Sequence, residues 1–385
     1  MRLYLPVNRV VRFMIRILFL ADINSPHTQK WALSLANNGF SIGIFSLNKP
    51  STDWFKENKN IECLSKETGS NVAAKKEIGK LAYIGAVPAL KRAIQSFKPD
   101  IVHAHYATSY GMLGALVGFH PYVISVWGSD VYDFPQKSFL HKFILKRNLK
   151  KADAILSTSN SMAIEIAKYT TKKIEITPFG VDLNVFKPQK VKSLFNEGDI
   201  VVGTIKSLES KYGIEYLIEA FNIFCTKHKE LPLNLFIVGG GSKETELKRL
   251  VSSLGIEDKV KFAGRIPNSR IQEYHNMLDV YVALSVDDSE SFGVAVVEAA
   301  ACEKPVVVSN VSGFAEVVEN GITGIIVPVR NAKVAANAIE RIVMDKELAK
   351  QMGVNGRKRV EELYNWSANL KGIVSIYNSL LKCNG

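Results

Sequence analysis

The sequence predicts an α/β protein of two domains, on three observations. Short apolar runs rich in Val, Ile and Phe recur down the chain, each followed by a helix pattern, the alternation expected of βαβ units. The 385 residues exceed the roughly 250–300 at which a single hydrophobic core stops growing. The charge is also divided by halves. Residues 1–190 carry 26 Lys and Arg against 13 Asp and Glu, and residues 191–385 carry 23 against 24, so the net +12 is +13 from the first half and −1 from the second.

Taken in order, Met1 to Phe13 holds Arg2, Arg9 and Arg12 among apolar residues and imitates a secretory signal, but the apolar stretch that follows is broken by Arg16 and runs into a helix pattern. Because Met14 directly precedes the first strand, residues 1–13 read as an extension or as a product of start-codon choice. Ile15 to Leu20 reads as the first buried strand; a loop from Asp22 then enters a helix that ends at Asn37-Asn38-Gly39, and Phe40 to Leu47 is the second strand. Between Lys66 and Lys98, the residues Lys75, Lys76, Lys80, Lys91 and Arg92 are spaced among Ile78, Leu81, Ile84, Val87 and Leu90. This reads either as a basic amphipathic surface or as a solvated helix face. His103 and His105 alternate, hence share one side of a strand, and with no third ligand nearby zinc is not expected. Tyr122 to Val126 is a strand closing in Trp127-Gly128-Ser129-Asp130. From Phe134 to Lys151, Lys137, Lys142, Lys146, Arg147, Lys150 and Lys151 are interspersed with Phe139, Leu140, Phe143, Ile144 and Leu149, the chain's strongest membrane-docking candidate.

The first domain is expected to end near residue 190, after a linker at Thr177 to Phe186. The second opens with strand Ile200 to Ile205, followed by the loop Lys206 to Gly213 and a helix through Phe224. Leu235 to Val238 runs into Gly239-Gly240-Gly241, either a close backbone approach to a ligand or a plain turn. Val260 onward is a strand with a glycine exit at Gly264. Val317 to Pro328 reads as a hairpin segment, two helices follow that part near Met352-Gly353, and a last helix begins at Trp366.

The most informative stretch is Ser285 to Cys302. Val280 to Leu284 before it and Pro305 to Ser309 after it are β-prone, so it reads as strand, acidic loop, helix, strand. Ser291 is the expected N-cap, leaving the amides of Phe292, Gly293 and Val294 at the positive end of a helix where an anion is stabilised. Glu298 lies about 9 Å along the axis from Phe292, with Glu290 in the loop at the helix mouth. The spacing Glu290-x7-Glu298, with Phe-Gly after the first Glu and Glu-Ala-x-Ala around the second, resembles the motif of retaining glycosyltransferases of family 4, which have the GT-B fold.

The resemblance covers nearly the whole chain and implies two Rossmann-like doubly wound domains facing across a cleft: residues 1–190 for the acceptor, 191–365 for a nucleotide-sugar donor, and residues 366–385 as a helix returning to the first domain. It implies that Glu290 contacts the donor sugar, that the backbone of Phe292, Gly293 and Val294 contacts sugar and phosphate, and that Glu298 binds the ribose. Lys206 and Lys211 correspond to an Arg and a Lys directed at the donor diphosphate, with Lys losing the bidentate fork of Arg. Arg265 and Ile266 are expected at the nucleotide base and Gly240 beside the donor. On the acceptor side stand His27, where relatives often carry a Gly-Gly pair, His105 and Asp130; Ser25 or Thr28 is alternatively a helix cap. Of the two strand histidines, His105 is the expected site member and His103 buried support. Many relatives have His where this chain has Trp127, which cannot accept a proton. No metal or other cofactor is expected, since two lysines and a helix terminus would take the leaving charge.

Composition bounds the rest. No run of roughly 18 uncharged apolar residues exists to span a membrane, and Cys63, Cys225, Cys302 and Cys383 lack metal or disulfide spacing. The chain is expected in the cytoplasm, peripheral on the inner face of the plasma membrane. Its basic half implies an anionic partner; with no nucleic-acid-reading motif, nucleic acid is not expected and an anionic membrane surface is. The expected acceptor is a lipid-linked glycan or polysaccharide precursor. The alternatives are a small soluble acceptor and a catalytically idle partner subunit. A nicotinamide dehydrogenase is disfavoured by the missing glycine fingerprint after Leu20.

Overall fold

The computed structural model describes residues 14–64 and 83–383. Residues 1–13, and Lys75, Lys76 and Lys80 of the first basic stretch, lie outside the described residues; Lys91 and Arg92 are exposed on the Val87–Phe97 helix. Two parallel sheets form the frame. The first orders its strands β3-β2-β1-β4-β5-β6-β7, with β1 at Arg16–Leu20, β2 at Ser41–Phe45, β3 at Ile61–Cys63, β4 at Ile101–His105, β5 at Tyr122–Val126, β6 at Ala154–Ser157 and β7 at Ile174–Ile176. The second orders β10-β9-β8-β11-β12-β13, with β8 at Ile200–Ile205, β9 at Leu233–Val238, β10 at Val260–Gly264, β11 at Val280–Ala283, β12 at Val306–Ser309 and β13 at Gly324–Val327.

Helices cover both faces of each sheet, which is why the central strands are apolar along their whole length rather than at alternate positions. All five residues of β4 and of β5 are buried. In each sheet the strand order reverses next to the first strand, between β1 and β4 and between β8 and β11. In open α/β sheets ligands bind outside the carboxyl ends of the strands at such a switch point. The loops that follow β1, β4, β8 and β11 meet there, and the two switch points face one another.

The chain crosses between lobes twice, and the crossings are tied together. Val181 N donates to Tyr364 O at 2.8 Å and Trp366 N to Val181 O at 3.0 Å. The Trp366–Cys383 helix then packs on the first sheet, burying Trp366, Leu370, Ile373 and Tyr377 with Ile17 and Phe19. The lobes also touch beside the cleft. The Glu316 carboxylate accepts from the backbone N of Asn160 (2.8 Å) and Ser161 (2.9 Å) at the start of the Asn160–Ala167 helix, and Ser159 Oγ donates to Ser291 O at 3.0 Å.

Two expectations are corrected. The helices after β13 are Ala332–Met344 and Lys346–Leu363, parted at Asp345, whose side chain accepts from Leu348 N at 2.9 Å and caps the second. Met352 and Gly353 lie inside that second helix. Gly353 is there for contact rather than termination, since a Cβ would stand 2.2 Å from Glu303 O. The stretch expected as a hairpin is instead the Ser312–Val317 helix, a turn, and β13 running parallel to β12.

Candidate active site

The loops at the facing switch points enclose a cleft with a cavity volume of about 710 Å³, lined by His27, Lys30, Trp127, Phe179, Asp182, Lys206, Lys211, Tyr212, the Glu290 to Ala295 stretch and Glu298 among others. On the second lobe, Lys206 follows β8 directly. Its ammonium forms an ion pair with the Glu290 carboxylate and stands 4.4 Å from the Tyr212 ring centroid. Lys211 shares that ring at 5.0 Å and has no carboxylate within 4.0 Å among the described residues. The loop carrying the lysines is sewn to the loop after β11: Val286 N donates to Lys211 O at 2.9 Å, and Gly213, at φ +60°, lies where a Cβ would stand 2.1 Å from Leu284 O.

The acidic loop begins the Val294–Ala301 helix differently from the expectation. Gly293, at φ +81°, holds the cap position without a side-chain cap, a left-handed conformation that glycine takes freely. Ser291 does not cap; its hydroxyl donates across the cleft to Trp127 O at 2.8 Å. The helix therefore presents its first amides, those of cleft-lining Val294 and Ala295, without side-chain competition. Glu298 stands one turn further on the same face as Val294. Behind it is His275, fully buried, with Nε2 3.4 Å from Glu298 Oε2. The two expected carboxylates and both expected lysines thus line one space with the helix start, whose first amides are those of Val294 and Ala295 rather than of Phe292, Gly293 and Val294.

Arg265, Ile266 and Gly240, expected beside the donor, are not among the residues that line this cavity. Gly240 is buried beneath the Arg265 side chain, where a Cβ would stand 2.9 Å from Cγ, and Arg265 is exposed. Ile266 is partly buried against the second-lobe core.

On the first lobe, His27 lines the cleft. Its ring stacks on Phe179 with centroids 4.2 Å apart and meets Trp127 edge-on at 5.7 Å. Burial, and then the Lys30 charge, lower its pKa from 6.5 to about 4, so it is neutral at pH 7. Among the described residues the buried Thr28 hydroxyl has no hydrogen-bond partner and Ser25 makes no side-chain cap bond, so neither caps the Pro26–Asn37 helix. His105 and His103 share one side of β4, with ring centroids 4.8 Å apart. His105, 2% exposed, lies one layer under the cleft floor between Phe19 and Trp127, each 4.6 Å away. His103 is the support expected, bonded to Tyr377 OH (2.6 Å) and Ser125 Oγ (2.8 Å). Asp130 is 1% exposed. Its carboxylate accepts from the backbone N of Ala107 (2.8 Å), Gly128 (2.9 Å) and Trp127 (3.2 Å) and fastens the loops after β4 and β5. Burial pushes its pKa up to about 6.

Sequence reasoning missed Lys30, Phe179, Asp182, Tyr212 and His275. Lys30 reads from periodicity as an ordinary helix-surface lysine and His275 as one polar residue in a short helix, so no local signal marks either. A smaller cavity of about 390 Å³ adjoins the cleft, sharing Tyr106 and Ser129 with it, and is walled by Tyr83, Met112, Phe134, Lys137 and Ile144 among others. Its rim passes into the Phe139–Lys151 helix, where Phe139, Leu140 and Phe143 are 83%, 55% and 55% exposed. Among the described residues no group of three or more His, Cys, Asp or Glu side chains converges on one point, and no helix is long and apolar enough to cross a membrane.

Residues 185–359 match the family described as glycosyl transferases group 1, and residues 16–159 match the family described as glycosyl transferase 4-like. Among curated proteins, an uncharacterised glycosyltransferase of Methanocaldococcus jannaschii is 25% identical over 80% of this chain and 84% of its own length. The N-acetyl-alpha-D-glucosaminyl L-malate synthase of Bacillus anthracis is 26% identical over 74% of this chain and 75% of its own. The capsular polysaccharide biosynthesis glycosyltransferase CapM of Staphylococcus aureus is 30% identical over 64% and 60%. Among solved structures, sucrose-phosphate synthase of Thermosynechococcus elongatus superposes with a TM-score of 0.82 at 21% identity, covering 96% of this chain and all of that one. The two facing parallel sheets are accordingly the GT-B arrangement. With both halves of the chain matched and the lysine and glutamate pairs gathered in the interlobe cleft, this protein belongs to the group 1 glycosyltransferases of family 4, enzymes that transfer a sugar from a nucleotide-sugar donor.

Proposed function

We propose that the protein is a retaining, metal-independent glycosyltransferase that adds a sugar to a lipid-linked glycan or polysaccharide precursor at the inner face of the plasma membrane. The observation that carries the donor half is the convergence of Lys206, Lys211, the first amides of the Val294–Ala301 helix and Glu298 on one cleft. The nucleoside would lie along Glu298, with His275 holding that carboxylate from behind, and the diphosphate would sit between the two lysines and the helix start.

As the bond from the anomeric carbon to phosphate oxygen breaks, negative charge grows on the diphosphate. Fixed cations and amides stabilise it, each well-placed donor contributing about 3 kcal/mol at the barrier by analogy with oxyanion holes. The acceptor hydroxyl oxygen forms the new bond on the same face, and its proton passes to the leaving phosphate oxygen, which gives retention. Glu290, paired with Lys206, positions the sugar rather than attacking it. The incoming diphosphate competes with Glu290 for Lys206, freeing that carboxylate for sugar hydroxyls.

The acceptor half rests on the smaller cavity and its rim. Three large apolar side chains exposed on adjoining turns of a helix, followed by Lys142, Lys146, Lys150 and Lys151 on its exposed positions, suit an anionic bilayer surface. Flotation with phosphatidylglycerol vesicles at low salt tests this: the wild type should float, and a Phe139→Ser, Leu140→Ser, Phe143→Ser variant should not. Equal behaviour of the two would remove the membrane reading. A small soluble acceptor is the second reading, supported by the similarity to the N-acetyl-alpha-D-glucosaminyl L-malate synthase, whose name includes a small molecule, L-malate. A thermal-shift screen of nucleotide sugars identifies the donor, since ligand binding stabilises the fold in proportion to affinity. Proton coupling at the anomeric centre of the product then reads retention, and turnover undiminished by EDTA is the metal-independent outcome.

A further inference from the structure

Lys30 is a cation from the acceptor lobe that lines the cleft without a counter-ion among the described residues. It sits one turn into the Pro26–Asn37 helix. Its ammonium donates to Gly180 O at 3.0 Å and stands 4.1 Å from the centroid of the Trp366 ring. No carboxylate oxygen of a described residue comes within 4.0 Å of it. Glu298 and Asp182 act on it only from longer range, and burial, the largest influence, drives its pKa below the ordinary lysine value. Withdrawing a charge from water without an opposite charge is costly, and such a group in a cleft marks a place prepared for an anion.

The surroundings say which anion. Lys30 lines the same cavity as His27, Glu298 and Lys206, whereas it does not line the smaller cavity beside Tyr83 and Met112. Both of its protein partners lie where the chain crosses between the lobes. Gly180 belongs to the first crossing, at φ +55°, with Tyr364 O only 2.6 Å from where a Cβ would be, and Trp366 opens the second. We propose that Lys30 binds the donor diphosphate from the acceptor lobe, opposite Lys206 and Lys211, so that cations of both lobes hold it. This rests on the donor reading given above. Lys30 is a donor-binding residue in it: its ammonium pairs with the diphosphate charge.

Calorimetric titration of the full chain with UDP and GDP, and with uridine and guanosine, tests the proposal through Lys30→Met, which keeps a long side chain over Trp366, and Lys30→Arg, which keeps the charge. For whichever diphosphate binds, Lys30→Met should weaken it about tenfold or more while changing the matching nucleoside less than about twofold, and Lys30→Arg should recover most of the loss. The deficit of Lys30→Met should shrink as NaCl is raised, as expected for a lost charge contact. Should Lys30→Met fold poorly by thermal melting, Lys30→Gln replaces it. Unchanged diphosphate affinity, equal weakening of diphosphate and nucleoside, or a defect confined to the acceptor KM would overturn the proposal. If Lys211→Ala and Glu298→Ala lose diphosphate affinity while Lys30→Met does not, only the role of Lys30 fails. If none of the three loses it, the donor reading itself fails.

Discussion

Glu298 shows how a single side chain in this cleft depends on what lies behind it. Its carboxylate is approached by His275, which is fully buried and whose Nδ1 has no hydrogen-bond partner among the described residues. His275→Phe should therefore raise the donor KM several-fold with little change in kcat, because it loosens Glu298 without touching the reacting atoms; steady-state kinetics across donor concentrations reads the split. His27 makes a prediction about pH. Its folded pKa, about 4, lies below the roughly 6.5 of an unfolded histidine, so the unfolded chain takes up the proton first. Its contribution to stability is complete above about 6.5 and is lost as pH falls toward 4. Urea unfolding at stepped pH should show the wild type losing stability across that window more steeply than His27→Gln, and parallel curves would contradict the assignment.

At the scale of elements, the start of the Val294–Ala301 helix is the feature the donor account needs most. Gly293→Ala would force a side chain into φ +81° and to within 2.7 Å of the Phe314 ring, a strain of about 1–3 kcal/mol that should shift the first amides and weaken diphosphate binding more than it lowers the melting temperature. The sequence pattern located this element but misassigned its cap. Ser291 has the right residue type, and only the closeness of the first lobe, invisible to local spacing, engages its hydroxyl with Trp127 instead. The break at Asp345 did carry a local signal, an acidic cap three residues before Leu348, that the glycine at 353 obscured. His105 lies beneath the cleft floor for a related reason: alternation puts His103 and His105 on one side of β4 but cannot say that Trp127 will cover His105. Strand positions were legible because parallel strands buried on both faces are continuous apolar runs.

Over the whole molecule, the two-lobe architecture was readable from length and from the alternation of strands and helices, and the convergence of the lysine and glutamate pairs was readable from a motif. The groups supplied by the opposite lobe were not, since Lys30 and Phe179 reach the cleft only through the packing of the lobes. One contact in that packing can be removed singly. Glu316 accepts from the first amides of the Asn160–Ala167 helix, so Glu316→Ala should leave the melting temperature of each lobe nearly unchanged while opening the cleft, seen as a larger radius of gyration in small-angle scattering and a higher donor KM. The central claim is that the cations and helix start of the second lobe neutralise the diphosphate as it leaves the sugar. The most direct measurement is the rate of nucleoside diphosphate release by wild type and Lys211→Ala at saturating donor and acceptor. The account predicts a fall in kcat of about a hundredfold or more, the scale of losing one stabilising donor, with an unaltered melting temperature; undiminished turnover in Lys211→Ala would contradict it.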